Sequence, residues 1–382
     1  MRKIYRGDDR MVKARHAFVP VLIVLVFYLI VLVFTLTENL RDITNVGYAH
    51  LHRKCILAHR KTLCALMVAM VACSCGCIDS NSVTTGPKVW SRRGLDDGRF
   101  HKPRAIAIDK NDRLYIVDMT ARVQVFDSDQ NFVRFWRTPE FKFGKPCGLT
   151  FAKDDVLMVA DTHYHRVLFY TPAGELLPDR TIGGTLGLNE GEFGYVTDVV
   201  QDSAGCYYVS EYGEFDRIQK FDTQGNFVYQ WGGRGSEPGQ FLRPQGLAMD
   251  AQDQIWIADA SNHRIQVFDV SGEAPHFVKQ FGSAGTSAGQ IRYPYDIVLY
   301  DNEVFVCEFG NHRVQRFSRE GESLGLWGMP GREPGEFHQP WAMTIDTTGR
   351  MHVLDSYNHR VQTMSIADWD WPLETQWKLE DE

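Results

Sequence analysis

One stretch of the chain reads Ile255-Trp256-Ile257-Ala258-Asp259-Ala260-Ser261-Asn262-His263-Arg264-Ile265-Gln266-Val267-Phe268-Asp269. Apolar residues alternate with other residues on both sides of a polar turn, a pattern typical of two β-strands joined by a tight loop. The turn Asp-x-x-Asn-His-Arg returns, with Glu or Asp as its acid, at 308–313 and at 355–360. Weaker copies, each with an acid and a following Arg, precede it at 118–122, 161–166 and 211–217. The chain therefore contains six copies of one strand–turn–strand motif.

The spacing of the six acids is nearly constant, with steps of 43, 50, 48, 49 and 47 residues along the chain. A period of this length indicates a propeller or another repeat array. Each copy adds an upstream Pro-x-(Gly/Asp/Ala) element, as at 244–246, and a downstream strand ending in an aromatic residue and Gly, as at 228–232. Four short strands in each of six units predict an all-β fold, the six-bladed β-propeller.

The sixth unit ends after its third strand, near Met364, so one strand is missing from the last blade. An open blade edge would expose unpaired backbone groups. The segment 87–90 ends in Trp90, which matches the aromatic position of the fourth strands. We therefore expect this N-terminal strand to close the ring, the propeller to span 87–366, and the acidic, aromatic tail 367–382 to pack outside it.

The repeat resembles the NHL-repeat family of six-bladed propellers. The resemblance is carried by Asn262-His263-Arg264, Asn311-His312-Arg313 and Asn358-His359-Arg360, and by the loops 235–241 and 331–337. It covers residues 87–366. Units two and three depart from the motif, with Tyr164-His165-Arg166 and Phe215-Asp216-Arg217 in place of Asn-His-Arg. The repeat units lack the Trp-Asp endings and Gly-His openings of WD-type propellers.

The N-terminal region predicts export and a membrane anchor. Residues 1–16 are basic, and residues 17–37 are uncharged, apolar and long enough for a transmembrane helix. Basic residues before the helix favour a cytoplasmic N-terminus and an exported remainder. The segment 38–77 resembles a bacterial lipoprotein signal peptide with Cys73 as the lipidated residue, although Met70 departs from the usual pattern. A polar linker follows at 78–86.

The two leaders conflict, because a spanning helix at 17–37 would leave the basic cluster 53–61 outside the cytoplasm. One resolution is a true translation start near Val46 or Leu51. Both interpretations predict a bacterial, membrane-anchored or lipoprotein-like protein with its propeller in the periplasm or at the cell surface. The three cysteines of the propeller, Cys147, Cys206 and Cys307, are expected to be buried, unpaired residues of separate blades.

The repeated acid and Arg are predicted to be architectural. The two side chains face each other across a short loop, where a charge-assisted pair also satisfies loop amides. One active site needs no such repetition, and the histidines of successive blades lie too far apart to share a metal. The predicted structural pairs are Asp118 and Arg122, Asp161 and Arg166, Glu211 and Arg217, Asp259 and Arg264, Glu308 and Arg313, and Asp355 and Arg360.

A local function should lie where blades differ, at the mouth of the central channel. The candidate ligand-binding residues are Arg104, His163, Thr197, Asp198, Tyr212, Gln245, Tyr295, Asp296, Trp341 and Tyr357. Asp198 and Asp296 are the only acids at their position in the innermost strands, and they are the candidate metal ligands if there is a metal. Such a mixture suits a small polar ligand, a peptide end or a divalent cation such as calcium. A water-filled funnel with an ordinary polar lining fits the same residues.

Two classes of function follow. The first is a non-catalytic, membrane-tethered binding or scaffold propeller that holds a protein, peptide or glycan, with no catalytic residue and no cofactor. The alternative is a metal-dependent hydrolase similar to the gluconolactonase-like propellers, although an evident Glu and Asn to complete such a site are missing. The NHL-like amidating lyases hold zinc with three channel histidines, and the innermost-strand positions of this sequence contain none.

Charge argues against a nucleic-acid partner. Residues 78–382 contain 30 Lys and Arg against 44 Asp and Glu, which leaves a formal charge of −14. The sequence shows no basic stripe with interleaved aromatic residues in this domain. An acidic propeller repels a phosphate backbone, so we expect no nucleic-acid binding.

Overall fold

The computed structural model describes residues 86–374. The predicted apolar segment 17–37 and the candidate lipidation site Cys73 lie outside these residues, as does the end of the tail. Within residues 86–374, no helix has the length and apolar character that crossing a membrane requires.

The described chain folds into six four-stranded antiparallel sheets, which confirms the predicted all-β, six-bladed propeller. Blade 1 consists of β2 (Pro103–Ile108), β3 (Leu114–Asp118), β4 (Arg122–Phe126) and β5 (Phe132–Arg137). Blade 2 consists of β6 (Gly148–Phe151), β7 (Leu157–Asp161), β8 (Arg166–Tyr170) and β9 (Ile182–Gly183). Blade 3 consists of β10 (Tyr195–Gln201), β11 (Tyr207–Tyr212), β12 (Arg217–Phe221) and β13 (Phe227–Gly232).

The second half of the ring repeats this order. Blade 4 consists of β14 (Pro244–Met249), β15 (Gln254–Asp259), β16 (Arg264–Asp269) and β17 (His276–Phe281). Blade 5 consists of β18 (Pro294–Tyr300), β19 (Glu303–Glu308), β20 (Arg313–Ser318) and β21 (Ser323–Trp327). Blade 6 consists of β22 (Met343–Ile345), β23 (Arg350–Asp355), β24 (Arg360–Ser365) and β1 (Lys88–Trp90). Short 3-10 helices occupy Thr162–Tyr164, Pro178–Arg180, Ala260–Asn262, Ser356–Asn358 and Ile366–Asp368.

The core lies between the blades. Second and third strands such as β3 and β4 are buried along their whole length, whereas fourth strands such as β5 and β13 alternate between exposed and half-buried residues. Six apolar clusters follow, one for each pair of neighbouring blades, including one that joins blade 6 to blade 1. Each blade therefore buries both faces of its sheet against its neighbours.

The last blade takes its outer strand from the beginning of the propeller, where the sequence predicted it. Strand β1 pairs antiparallel with β24, with Trp90 opposite Val361. The Trp90 indole donates to Thr363 Oγ1 over 2.9 Å, and its ring meets Phe126 of blade 1 edge-on at 5.0 Å between centroids. Trp90 thus joins the two ends of the ring by pairing in one blade and packing on the next.

Deleting residues 84–92 should lower the cooperative melting transition of the whole propeller, because it removes β1 and exposes the edge of β24. Trp90→Ala should destabilise in the same direction, by about 2–4 kcal/mol as for other aromatic truncations in cores. Urea unfolding followed by circular dichroism measures both effects. Lys88→Ala, an exposed residue of the same strand, is the control. A transition unchanged by the deletion would contradict closure by β1.

The repeated acid and Arg hold the loop that enters each blade. In blade 4, Arg264 donates from Nε to Asp259 over 2.8 Å and from its other nitrogens to the loop carbonyls of Ser236, Glu237 and Gln240. The Asp259 carboxylate also accepts the backbone amide of Leu242. The pair is nearly inaccessible to solvent, and it satisfies loop carbonyls as well as the loop amides expected from the sequence.

An ion pair of this kind is present in all six blades, with N–O distances of 3.3, 3.0, 2.6, 2.8, 2.8 and 2.6 Å from blade 1 to blade 6. Blade 2 is the least complete. Its acid, Asp161, has one carboxylate oxygen without a hydrogen-bond partner, and burial raises the pKa of this group to about 6 despite the neighbouring Arg166. The loop of blade 2 at 138–147 lacks the Pro-Gly pattern of the regular loops, so fewer carbonyls reach Arg166.

The His of the Asn-His-Arg turn connects one blade to the next. His263, His312 and His359 adopt left-handed backbone conformations with φ of 55–59°. Nδ1 of each accepts a backbone amide that precedes the next innermost strand, from Tyr293, Gln339 and Lys102 respectively, at 3.0–3.1 Å. An acceptor nitrogen must be unprotonated, so these contacts require neutral imidazoles.

Acid should therefore weaken the contact between blades 6 and 1. Burial, followed by the nearby charges of His101, Arg93 and Lys102, lowers the pKa of His359 to about 4. The unfolded chain takes up this proton near pH 6.5, so the contribution of His359 is complete above that pH and is lost as the pH falls through 4. Chemical unfolding of His359→Asn should show a weaker loss of stability between pH 7.5 and 5 than the natural protein. Asn is chosen because it tolerates a positive φ.

The matched control for His359→Asn is His276→Asn, an exposed position on the outer strand of blade 4. It should leave the pH dependence of unfolding unchanged. Identical pH profiles for the natural protein and His359→Asn would refute the proposed proton linkage.

The described part of the tail packs outside the ring on blade 5. The amide of Leu326 in β21 donates to the Pro372 carbonyl over 2.9 Å, and Trp371 is buried against Gly325. A Cβ at Gly325 would lie 2.4 Å from the Cβ of Trp371, so this close approach needs glycine.

The three propeller cysteines are free thiols, but they are less uniform than the sequence suggested. Cys307 is buried within β19. Cys147 and Cys206 are half-buried and lie directly before β6 and β11 rather than inside strands, so burial as small apolar residues describes only Cys307.

Candidate ligand site at the channel mouth

The innermost strands of all six blades enclose a central channel with a volume of about 450 Å³. Apolar side chains form most of its wall, for example Ile106, Leu149, Leu247, Ile297 and Met343. Among the lining residues, the only carboxylates are those of Asp198 and Asp296. The channel is therefore largely apolar, and its polar lining residues include the two buried acids and Lys153.

Asp198 and Asp296 each connect two neighbouring blades. One oxygen of Asp198 accepts the amide of Val199 and the other accepts the amide of Leu247 in blade 4, both at 2.9 Å. Asp296 accepts the following amide at 2.9 Å and that of Met343 in blade 6 at 2.8 Å. All four oxygens are thus engaged by backbone donors. This gives the two acids a role at the hub that their position in the sequence did not reveal.

The residues around these acids do not fit a resident metal ion. Calcium takes six to eight oxygen ligands, and zinc takes three or four protein ligands in most sites. Within the described residues, no group of three or more His, Cys, Asp or Glu side chains could hold a metal. The two acids are also already hydrogen-bonded to backbone amides.

Burial favours the neutral form of both acids. It raises the pKa of Asp198 to about 7, against the opposing effect of the Leu247 and Val199 amides. Burial, and then the proximity of Asp198, raises the pKa of Asp296 well above its ordinary value. The equivalent position of blade 2 must be small, because a Cβ at Gly148 would lie 2.6 Å from Asp198 Oδ1.

Asp198→Ala should cost more stability at pH 5 than at pH 8, on the order of 1–3 kcal/mol at the lower pH. A raised carboxyl pKa stabilises the folded state most below the unfolded pKa near 4, and this contribution disappears as the pH rises through about 7. Guanidinium unfolding at the two pH values measures the difference. Asp129→Ala, at an exposed turn, is the control. A cost that grows with pH would show that Asp198 is ionised in the folded protein.

The channel mouth lies where the innermost strands begin, and β-bulges shape it. The register of β2, β10 and β18 skips one residue at Arg104, Thr197 and Tyr295. A bulge redirects the side chain of its extra residue. Three of the sequence candidates therefore occupy positions where the strand departs from regular pairing.

A chain of contacts surrounds the mouth, and we call it the collar. Its members are cationic, aromatic or thiol side chains: Arg104, Cys147, His163, Tyr195, Tyr212, Arg243, Tyr295 and Trp341. Every blade contributes at least one of them.

The contacts of Arg104 and Trp341 join four blades of the collar. Arg104 donates to Cys147 Sγ over 3.3 Å and lies over the Trp341 ring at 4.5 Å from its centroid. Trp341 meets Tyr295 edge-on at 4.9 Å between centroids, and Tyr295 stacks on Phe309 at 4.4 Å. Blades 2, 1, 6 and 5 are connected in this way.

Arg243 continues the collar on the opposite side. Its guanidinium carbon lies 5.9 Å from the Tyr295 centroid and 4.9 Å from that of Tyr212. Tyr212 approaches Tyr195 at 5.2 Å, and Tyr195 approaches His163 at 5.5 Å between ring centroids. Since His163 and Cys147 both belong to blade 2, the chain of contacts returns to the blade where it began.

Several polar atoms of the collar are buried without a partner in the described structure. They are Nε of Arg104, Nε of Arg243 and Nδ1 of His163. Neither guanidinium lies within 4.0 Å of a carboxylate of the described residues. Burial, followed by Lys145 and Arg104, lowers the pKa of His163, so its ring is neutral at neutral pH. The collar therefore presents positive charge and unused hydrogen-bonding capacity.

The sequence candidates divide into three groups in the structure. Arg104, His163, Tyr212, Tyr295 and Trp341 meet in the collar. Tyr357 lies next to it, beneath the Lys102 ammonium at 3.9 Å.

The remaining candidates are occupied within the fold. Thr197 Oγ1 donates to the Pro244 carbonyl over 3.1 Å, and Gln245 is buried on the channel wall. Asp198 and Asp296 hold backbone amides below the mouth. These four positions line or support the channel and do not extend into the collar.

Arg243, Tyr195 and Phe309 were not among the sequence candidates. Arg243 and Tyr195 lie two residues before the compared ring positions Gln245 and Thr197. At this position Lys102 and Lys145 are also basic, and a cluster of cations before the innermost strands was a signal that could have been read from the aligned repeats.

Comparisons with known proteins agree with the repeat and with the propeller fold. The NHL repeat family model matches residues 241–268. The chain is an NHL-repeat β-propeller. The NHL propeller is similar to the peptidylglycine alpha-amidating monooxygenase of Rattus norvegicus, with 29% identity over 299 residues that cover 74% of this chain and 29% of the relative. It is also similar to the protein brain tumor of Drosophila melanogaster, with 33% identity over 135 residues covering 35% of this chain and 12% of that one.

The NHL propeller thus spans less than a third of the length of these relatives. Among solved structures, a gluconolactonase from Xanthomonas campestris superimposes with a TM-score of 0.53 and 12% identity, covering 73% of this chain and 94% of the other. At that identity the match shows the propeller fold alone.

Proposed function

We propose that the protein is a non-catalytic binding propeller whose collar and surrounding face hold a protein, peptide or glycan. The supporting observation is the collar itself, where aromatic faces meet two guanidinium groups that have no carboxylate partner among residues 86–374, at the open end of the channel. Aromatic and Arg side chains at a concave opening are typical of binding hot spots. The repeated acids and arginines already bind each other and the loops. Ligand recognition is therefore assigned to the collar residues.

A membrane tether and an extracytoplasmic location complete the proposal. They rest on the apolar segment 17–37 and the lipoprotein-like segment ending at Cys73. Either anchor would hold the propeller at a membrane surface and leave its faces open to a partner. The name of the rat relative refers to amidation of peptidylglycine, which places peptides among the ligands to test first.

The hydrolase alternative has less support from the side chains. A gluconolactonase-like mechanism needs a metal held by several oxygen ligands, whereas the channel offers Asp198 and Asp296, both engaged by backbone amides. A zinc lyase would need converging histidines, but His263, His312 and His359 each hold a neighbouring blade. The donor set of the described channel fits neither metal centre.

The proposal is tested by presenting the purified full-length protein to peptide and glycan arrays. Trp341→Ala should weaken binding at least tenfold, because it removes the ring that contacts both Arg104 and Tyr295. Phe277→Ala, an exposed aromatic on the outer strand of blade 4, should leave binding unchanged. Thermal melting of each variant controls for folding.

Two outcomes would contradict the proposal. The first is ligand binding that is indifferent to Trp341→Ala. The second is hydrolysis of a lactone panel that a chelator abolishes and that Asp198→Asn or Asp296→Asn removes.

A further inference from the structure

We propose that the collar binds a single carboxylate group and that the apolar substituent of this ligand enters the channel. This inference rests on the proposed function, since it names the chemistry of the ligand that the collar holds. It is carried by the two guanidinium groups and by the apolar wall beneath them.

The guanidinium groups are held against aromatic rings, and neither pairs with a carboxylate of the described residues. Arg104 lies over Trp341 and Arg243 lies over Tyr212, so aromatic faces fix the planes of both groups. Elsewhere in the described propeller, buried Nε atoms without a partner also occur in Arg122 and Arg319, but those side chains pair with carboxylates through other nitrogens. A planar guanidinium with free N–H groups is suited to bidentate contact with a carboxylate.

Two further side chains at or beside the collar can donate hydrogen bonds. The neutral His163 ring carries one N–H, and its buried Nδ1 has no hydrogen-bond partner among the described residues. The Lys102 ammonium lies over the neighbouring Tyr357 ring. The Arg104 side chain has one hydrogen bond to a described atom, the weak acceptor Cys147 Sγ. An oxygen anion would be a stronger acceptor than the thiol and would give the guanidinium a charged partner.

The channel wall below the collar favours a ligand with an apolar substituent and a single charged group. Ile106, Leu149, Leu247 and Met343 line the channel, whose volume of about 450 Å³ suits a small apolar group. Asp198 and Asp296 follow on the inner side, and their oxygens are engaged by backbone amides. A second charged group would have to leave water for this largely apolar wall, which is costly, so the carboxylate would stay at the mouth.

The electrostatics of the whole domain argue against a polyanion. Residues 78–382 carry a formal charge of −14, so an extended phosphate backbone would be repelled over most of the surface. A ligand with one carboxylate gains the local attraction of Arg104 and Arg243 and avoids most of this repulsion. The carboxylate can belong to a free small acid or to the carboxyl terminus of a peptide.

The test uses isothermal titration of the full-length protein with three probes. They are 3-phenylpropanoate, an N-acetylated tripeptide that ends in Phe with a free carboxylate, and the same tripeptide as its C-terminal amide. We expect the peptide acid to bind at least tenfold more tightly than the amide. Similar affinities of the two acids would identify a small acid as sufficient, and a tighter peptide acid would identify a chain terminus.

Variants assign the effect to the collar. Arg104→Gln and Arg243→Gln should each weaken binding of the acids at least tenfold and abolish the difference between peptide acid and amide. Arg234→Gln is the matched control, because Arg234 is an exposed arginine of the same loop as Arg243. It should bind as the natural protein does. Melting curves show whether Arg104→Gln folds, and Arg243→Gln provides an independent variant.

Equal affinity for acid and amide, or acid binding that survives both Arg variants, would overturn the inference. If array ligands bind in a Trp341-dependent way while the acids show no preference over the amide, the carboxylate inference fails and the proposed binding function stands. If neither array ligands nor acids bind, both fail.

Discussion

The structure depends on a buried ion pair that is repeated in each blade. An acid at the end of the second strand binds the Arg that opens the third, and the Arg also donates to carbonyls of the loop leading into the blade. A buried charge pair stabilises a fold only when its remaining hydrogen-bonding groups are satisfied. In blades 4, 5 and 6 this condition is met by Asn, Gln and loop groups around the pair. The buried ion pairs thereby hold the loops of the channel-mouth face in place.

Contacts between blades turn these units into a ring. Apolar clusters lie between every pair of neighbours, and the histidines of blades 4, 5 and 6 accept amides from the next blade. In blade 3 the corresponding residue is Asp216, and in blade 2 His165 lies next to the Gly194 carbonyl. The irregular blades thus use different chemistry at the same junction. Their loops also contain the exposed Phe141, Phe143 and Phe215.

The architecture could be predicted from the sequence because of the repeat. A period of about 47 residues, with one strand missing from the last unit, is compatible with few topologies. The candidate site was readable only in part. Arg104, Tyr295 and Trp341 were found because blades differ at these positions. Arg243 was not, because it lies two residues before the positions that were compared between blades, at the position occupied by the basic residues Lys102 and Lys145 in other repeats.

The hub acids show a second limit of sequence reasoning. Asp198 and Asp296 stand out as unusual residues, which invites a metal-binding interpretation. Their observed partners are amides of Leu247 and Met343, each one blade further along the ring. Such partners are about 50 residues away in sequence and become visible only once the blades are placed side by side. The β-bulges that aim Arg104 and Tyr295 at the mouth likewise depend on pairing with the next strand.

Closure by β1 has a mechanical consequence. The strand is three residues long and is paired along its length with β24 from Val361 to Thr363. Any pulling force transmitted through the chain before Lys88 would reach the propeller at this strand and load its few backbone hydrogen bonds before any other blade. The packing of Trp90 between blades 6 and 1 would then determine the force at which the ring opens.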